Sequence, residues 1–214
     1  MTPKSPYEKA DKRLEKILAE TKKEFNKHRL RNFTGHDELN VLRIKKDVAS
    51  LYKKLDRMNR KFYLEIAQEV YDDIYAEQGK EPDRMFEIAW LNEILDTTNE
   101  VTDFIYTNEV KRKRDRFFES LLVLTYGNYT DVDVMTLYKR AFDVWARQTE
   151  QYEINVVDYS SRDAYRDLGV QRLRWNTQRD GRVCAECQKR DGVIYPINAI
   201  PESHWNCRCF LTPP

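Results

Sequence analysis

Apolar residues recur at three- and four-residue steps through most of the first 170 positions, and residues that would interrupt a helix are scarce there. No proline falls between Pro6 and Pro82 or between Pro82 and Pro196. The glycines before position 170 are Gly35, Gly79, Gly127 and Gly169. Such a pattern predicts long amphipathic helices. The first opens on Ser5-Pro-Tyr-Glu8, a capping box with proline at the first helical position. It carries Ala10, Leu14, Ile17, Leu18, Thr21 and Phe25 on one face. A break around Gly35 follows, where Asp37 is a suitable cap. The second helix shows Ile44, Val48, Leu51, Leu55, Met58 and Phe62, then Ile66, Val70 and Ile74, before Gly79 ends it. That is a heptad-like seam over roughly 60 Å. The charged residues between its apolar positions suggest that part of the seam packs within the chain and the rest meets a partner.

Pro82 is expected to start a third helix with Phe86, Ala89, Trp90 and Ile94 on its apolar side. A fourth, with Thr97 and Glu100 as a capping box, holds Val101, Phe104, Ile105, Phe117 and Leu121. A fifth, capped by Asp131, buries Met135, Tyr138, Ala141, Phe142, Trp145 and Thr149, and a separate short helix runs from about Ser160 to Leu168. Gly169 supplies the left-handed cap. The character then changes. Val170 to Thr177 alternates like a strand, and Asp180-Gly181 marks a turn. The expected fold class is mainly α, with a helical arm or bundle over 1–130 that serves in docking to an assembly partner and a second unit over 131–214. The latter includes a small α+β module at 170–211.

The 37 basic and 36 acidic residues leave a net charge of +1, so the overall balance marks neither a nucleic-acid nor a membrane-surface protein. No run reaches the ~18 apolar residues of a transmembrane helix. The N-terminus lacks the apolar stretch of a signal peptide, which points to a soluble product assembled inside a cell. Lys111-Arg-Lys-Arg-Asp-Arg116 is strongly basic, but on a helix these residues point in several directions and read first as a solvated face. His28 and His36 lie in polar surroundings and read as surface residues.

The chemistry concentrates at the C-terminal end. All four cysteines, Cys184, Cys187, Cys207 and Cys209, lie in the last thirty-one positions, with His204 among them. A Cys-x2-Cys pair presents two thiolates to one ion, and His-x2-Cys-x-Cys offers three further donors, so the expected cofactor is a structural zinc ion. Five donors compete for four positions. Cys184 and Cys187 act as a pair, while His204, Cys207 and Cys209 contend for the rest. Two disulfides and a redox Cys-x2-Cys are the rival readings, disfavoured by the scarcity of cysteine and the lack of a βαβ pattern. Four protein ligands leave no open position for water, so the site is expected to hold structure and the protein not to be an enzyme. A histidine–metal nuclease would need a free base and an open metal position.

The string Ala146-Arg-Gln-Thr149-Glu150, Asn155, Gly169, Arg174-Trp175, Asp180-Gly-Arg-Val-Cys184-Ala-Glu-Cys187, Asp191-Gly192 and His204-Trp-Asn-Cys207-Arg-Cys209 resembles the phage Mu F-like minor head proteins. The resemblance spans about Leu137 to Leu211. Trp205 departs from the proline usual after the histidine, which touches loop shape more than metal binding. The family's N-terminal regions vary, and some relatives carry a toxin or enzyme domain beyond this module. Ending at Pro214, this chain is expected to lack one. The resemblance implies a minor capsid protein of a tailed phage or prophage, assembled in the bacterial cytoplasm and carried in the virion, in the head interior or at the portal vertex. It implies binding to the portal protein or to the major capsid or scaffold protein, and a role in DNA packaging or ejection, with no membrane or small-molecule substrate. The alternative is a zinc-module nucleic-acid binder. From Gln171 onward seven Arg/Lys face four Asp/Glu, and Arg172, Arg174, Arg179 and Arg182 cluster beside Trp175, a basic and stacking combination suited to nucleic acid.

Overall fold

A computed structural model describes residues 5–33, 40–82, 88–95, 104–127, 129–178, 181, 183–204 and 206–214. Three-quarters of these are helical. The helices are α1 (Tyr7–Phe33), α2 (Val41–Glu77), α3 (Ile88–Leu95), α4 (Phe104–Thr125), α5 (Asp131–Asp167) and the short α6 (Ala185–Arg190). The strands are β1 (Arg172–Asn176), β2 (Ile194–Pro196) and β3 (Phe210–Thr212), forming an antiparallel sheet in the order β2-β1-β3. The expected capping residues Asp37, Thr97 and Glu100, and the apolar positions Phe86 and Val101, lie outside the described residues.

The long helices start and stop for identifiable reasons. Ser5 Oγ accepts the Tyr7 N–H at 3.2 Å, while Glu8 pairs forward with Lys12 at 3.7 Å. Asn40 caps α2, its side chain accepting the Arg43 N–H. Gly79, at φ 66°, ends that helix with Lys80 N–H bonded back to the Tyr75 carbonyl. The cap of α5 is Thr130 rather than the expected Asp131, in a reciprocal capping box with Asp133. Gly169, at φ 74°, closes α5 in the same way as Gly79 closes α2.

α2 and α5 run parallel, with α1 and α4 antiparallel beside them. Asn59 donates to Thr149 Oγ1 across the central pair at 2.8 Å. One core cluster lies around Ile44, Leu55, Phe117, Leu121 and Trp145. The second begins at Tyr63 and Tyr71 and continues without a break into Leu173, Trp175, Phe210 and three cysteines, so the sheet is packed onto the bundle.

Several expectations need correction. Ile44, Val48, Leu51, Leu55 and Phe62 are buried within the chain, and Met58 packs against both clusters. The seam is therefore covered by α1, α4 and α5, and its core positions are not open to a partner. α5 is a single helix, since no glycine or proline occurs between Thr130 and Gly169. Its second half is buried on two sides, which obscures the periodicity there. Ser160 and Ser161 are buried and donate to the carbonyls of Val156 and Val157. Phe104, Ile105 and Met135 are exposed; Tyr106 and Val134 take the core positions instead. His28 is buried, 2.5 Å from the Tyr138 hydroxyl, and burial lowers its pKa to about 4. It lies three residues after Phe25 on the buried stripe of α1. His36 lies outside the described residues.

Candidate metal centre

The five predicted donors converge. Cys184 is the N-cap of α6, and its sulfur accepts the Cys187 N–H at 3.4 Å. One helical turn therefore aims both sulfurs of the Cys-x2-Cys pair to one side. Across from them, Cys207 N–H bonds to the His204 carbonyl at 3.0 Å in a tight turn through Asn206, whose φ of 59° is tolerated by asparagine. Cys209 immediately precedes β3.

His204 Nε2 lies 3.0 Å from Cys184 Sγ and 3.1 Å from Cys187 Sγ, and Cys187 Sγ lies 3.6 Å from Cys207 Sγ. Two metal bonds of about 2.3 Å at the tetrahedral angle place two sulfurs about 3.8 Å apart, so the Cys187–Cys207 separation suits a shared ion. The donors form two triads that share Cys187: Cys184, Cys187 and His204, and Cys187, Cys207 and Cys209. They line a cavity of about 20 Å³ together with Gln178, Val183, Asn206 and Arg208. All four thiols are free.

The electrostatics of the bare cluster are divided. Backbone donation from Cys187 at the start of α6 lowers the pKa of Cys184. Burial pushes Cys187 up to about 12. Cys207 is lowered to about 6, chiefly because the Cys209 thiol donates to it, and the same contact holds the proton on Cys209. Such crowding keeps neighbouring thiols from ionising together. A divalent cation bound among them supplies the missing charge and turns them into ligands. Two to three thiols with an imidazole are the donor chemistry of a metal ion; His204 Nε2 stands closer to the two sulfurs than the about 3.5 Å of a tetrahedral site.

Residues that sequence reasoning missed hold the cluster against the bundle. Asn206 N–H donates to Oε1 of buried Gln151 at 2.9 Å, and Ser203 Oγ donates to Asp158 at 3.1 Å, both acceptors lying on α5. Arg208, between two candidate ligands, pairs with Asp11 of α1 and places its guanidinium 5.3 Å from the Tyr7 ring. Gln151 lies among the residues of the sequence match, but its polarity gave no sign of burial.

Residues 106–212 match the family described as phage Mu protein F-like, from inside α4 to the end of β3. The chain belongs to the phage Mu F-like family. Neither curated proteins nor solved structures give a significant match. The family makes this a phage head-morphogenesis protein, which implies virion localisation and contact with other head proteins. No helix among the described residues is long and apolar enough to cross a membrane.

The predicted nucleic-acid residues of this Mu F-like chain do not share one described surface. Arg172 and Arg174 lie on one face of β1. Trp175 lies on the other, 2% exposed, with the Arg190 guanidinium 5.2 Å from its ring, so its stacking face is used within the fold. Arg179 and Arg182 lie outside the described residues, as do Asp180 and Trp205.

Proposed function

We propose that this chain is a minor capsid protein that docks at the portal vertex during head assembly through its Mu F-like part, and that its cysteine cluster binds one structural zinc ion. The observation that carries the first reading is the family match over residues 106–212, which contains the whole cluster and the α5 residues that anchor it. With the α2 seam covered within the chain, a docking role falls to the outer surfaces of the family-matched part. The partners are the portal protein and, around it, the major capsid or scaffold protein.

The zinc ligands on this reading are Cys184, Cys187, His204 and Cys207, which are linked by the three short donor–donor separations. Cys209, whose sulfur lies within 4.8 Å of those of Cys187 and Cys207, is the spare on this reading. Four protein donors leave no open position for a reacting water, so the ion acts as a staple and not as a catalyst. Bound zinc holds α6, the His204–Cys209 turn and thereby β3 in one arrangement. The α5 acceptors and Arg208 then carry that rigidity to the bundle.

The test is to assemble heads with wild-type chain or Cys187→Ser and analyse purified heads and portal complexes by mass spectrometry. Wild-type chain is expected to co-purify with portal protein, and Cys187→Ser to be depleted from heads. Recovery of wild-type chain in heads assembled without portal protein, at its usual copy number, would overturn docking at that vertex.

A further inference from the structure

The near-neutral total hides a steep separation of charge. Over residues 41–61, α2 carries eight Lys/Arg against two Asp/Glu. Over 62–77 it carries five Asp/Glu and no cation. The flanking helices follow the basic half. The stretches 22–33 of α1, 41–61 of α2 and 109–125 of α4 together hold 18 Lys/Arg against 6 Asp/Glu, a net of +12 in a chain whose total is +1. The helical run of cations from Lys111 to Arg116, which alone reads as a solvated face, is one edge of this region.

Five of the six carboxylates there are already engaged, Glu109 and Asp115 with cations of their own helix. Glu24 of α1 receives Lys27 at 3.0 Å and Lys54 of α2 at 2.7 Å, Asp47 is buried and paired with Arg31, and Asp56 receives Arg60 at 3.1 Å. Lys46, Lys53 and Arg57 are exposed and have no acidic partner among the described residues. Their steps of seven and four place them on one stripe of α2, spanning about 16 Å at 1.5 Å per residue. On one side of α2, Lys54 reaches α1. On the other, Lys45 lies 5.9 Å from the Phe118 ring of α4. Between Lys45 and Lys61 no large apolar side chain is exposed.

We infer that the outer face of α2 around Lys46, Lys53 and Arg57, with the adjoining basic stretches of α1 and α4, binds the phosphate backbone of duplex DNA without reading its sequence. A rigid row of unpaired cations suits a ligand with closely and regularly spaced charges, and contacts of this kind position a protein without specifying bases. A membrane or an acidic protein would be expected to engage apolar anchors, which the Lys46–Arg57 stripe does not offer; the exposed Leu30, Leu42 and Val123 lie in the flanking stretches. The site lies on the bundle, separate from Arg172 and Arg174 of the sheet. It rests on the head-protein reading only in that phage DNA is the polyanion at hand.

The experiment uses the full-length, metal-loaded chain and a labelled DNA duplex of about two helical turns, titrated by fluorescence anisotropy between 50 and 200 mM salt. Wild type is expected to bind with an affinity that falls steeply with salt. Lys46→Glu/Lys53→Glu/Arg57→Glu is expected to weaken binding on the order of 100-fold and to reduce the slope by about 3. Arg172→Glu/Arg174→Glu should leave both unchanged. Melting temperature and metal content are checked in each variant. If the reversed triple does not fold, the same three positions as Gln are expected to lower the slope similarly. No duplex binding by wild type at 50 mM salt, or an unchanged slope in a folded triple, overturns the proposal. Tighter binding to phosphatidylglycerol vesicles or to polyglutamate than to the duplex overturns it in favour of a membrane or an acidic protein. Normal head recruitment of a triple that no longer binds DNA would leave portal docking standing, whereas loss of portal docking with DNA binding intact would leave this site standing.

Discussion

The bundle end around Trp145 and the cysteine end around Cys187 are both closely packed, by different means. At the bundle end, Phe25, Tyr52, Phe117, Tyr138 and Trp145 meet edge to face or tilted at centroid separations of 5.0–6.2 Å. Rings in this arrangement contribute beyond the area they bury. The cysteine end has one helix of six residues and three short strands, with few buried side chains apart from Leu173, Trp175, Phe210, Leu211 and three of the thiols. A module of this size lacks the surface-to-volume ratio for a core of its own. Its order is expected to come from a metal ion and from α5, whereas the bundle holds itself.

The largest effect should therefore come from removing the ion. We expect about one zinc per chain by metal analysis, and chelation should abolish hydrogen-exchange protection in β1–β3 while most helical circular dichroism survives. Structural zinc supplies ~10–16 kcal/mol of apparent binding free energy in small modules. Among single variants, Cys187→Ser should lose the most metal and Cys209→Ser the least, because Cys187 belongs to both triads. A metal-free native protein with Cys184 and Cys187 joined in a disulfide, or equal loss in all five variants, would erase the distinction between the two ends.

The complementary change strikes the bundle. Leu55→Ala removes a fully buried side chain from the centre of the α2 seam. It is expected to cost about 2–5 kcal/mol by denaturant unfolding, with metal content unchanged. Metal loss in parallel with the loss of stability would mean that the two ends fold as one unit.

How much of this was legible from sequence follows the same division. α2 was readable because its buried residues form one stripe, so their three- and four-residue steps survive intact. The second half of α5 was not, because it is packed on more than one side and buries Gln151, Glu153 and Ser160, which look like surface residues. His28 was misjudged by residue type although its position on the α1 stripe marked it as buried. In Phe104-Ile105-Tyr106 three apolar neighbours compete for one inward direction, and packing selects the last. The Cys/His cluster was readable as a set, since few side chains combine that donor chemistry and spacing. Its division into two triads depends on side-chain placement across the fold, which spacing along the chain does not encode.

A smaller effect separates the ends by pH. Burial holds His28 at about 4 in the fold, against about 6.5 for the free side chain. The unfolded chain then takes up the proton first as pH falls. The contribution of neutral His28 is complete above about pH 6.5 and is lost towards pH 4, by up to about 3 kcal/mol. Glu153, near the cysteine end, has the opposite sign. Burial raises it to about 8 from 4.5, so its contribution is complete below 4.5 and is lost as pH rises to about 8. Between 4.5 and 6.5 the two slopes offset one another. In Glu153→Gln the His28 slope should stand alone, giving a steeper fall in denaturant midpoint on acidification and greater stability than wild type at pH 8. Identical pH profiles for variant and wild type would remove Glu153 from the account.

The smallest expected effect tests the join between the ends. Gln151 is buried on α5 and accepts the Asn206 N–H, its amide donating in turn to Asn155 at 3.1 Å. Asn206 lies between His204 and Cys207, so this bond fixes the turn that presents both donors. Gln151→Ala leaves the Asn206 N–H without its partner. The cost should be about 1–3 kcal/mol, felt in the module more than in the bundle. Zinc would still bind, but chelator should extract it faster than from wild type, while the denaturant midpoint of the helical signal shifts little. Gln151→Glu keeps an acceptor at the same place and should restore slow extraction, because an acceptor there is what holds the turn. If both variants release zinc at the wild-type rate, the α5 contact does not support the metal centre. The module would then owe its order to the ion and its own sheet alone.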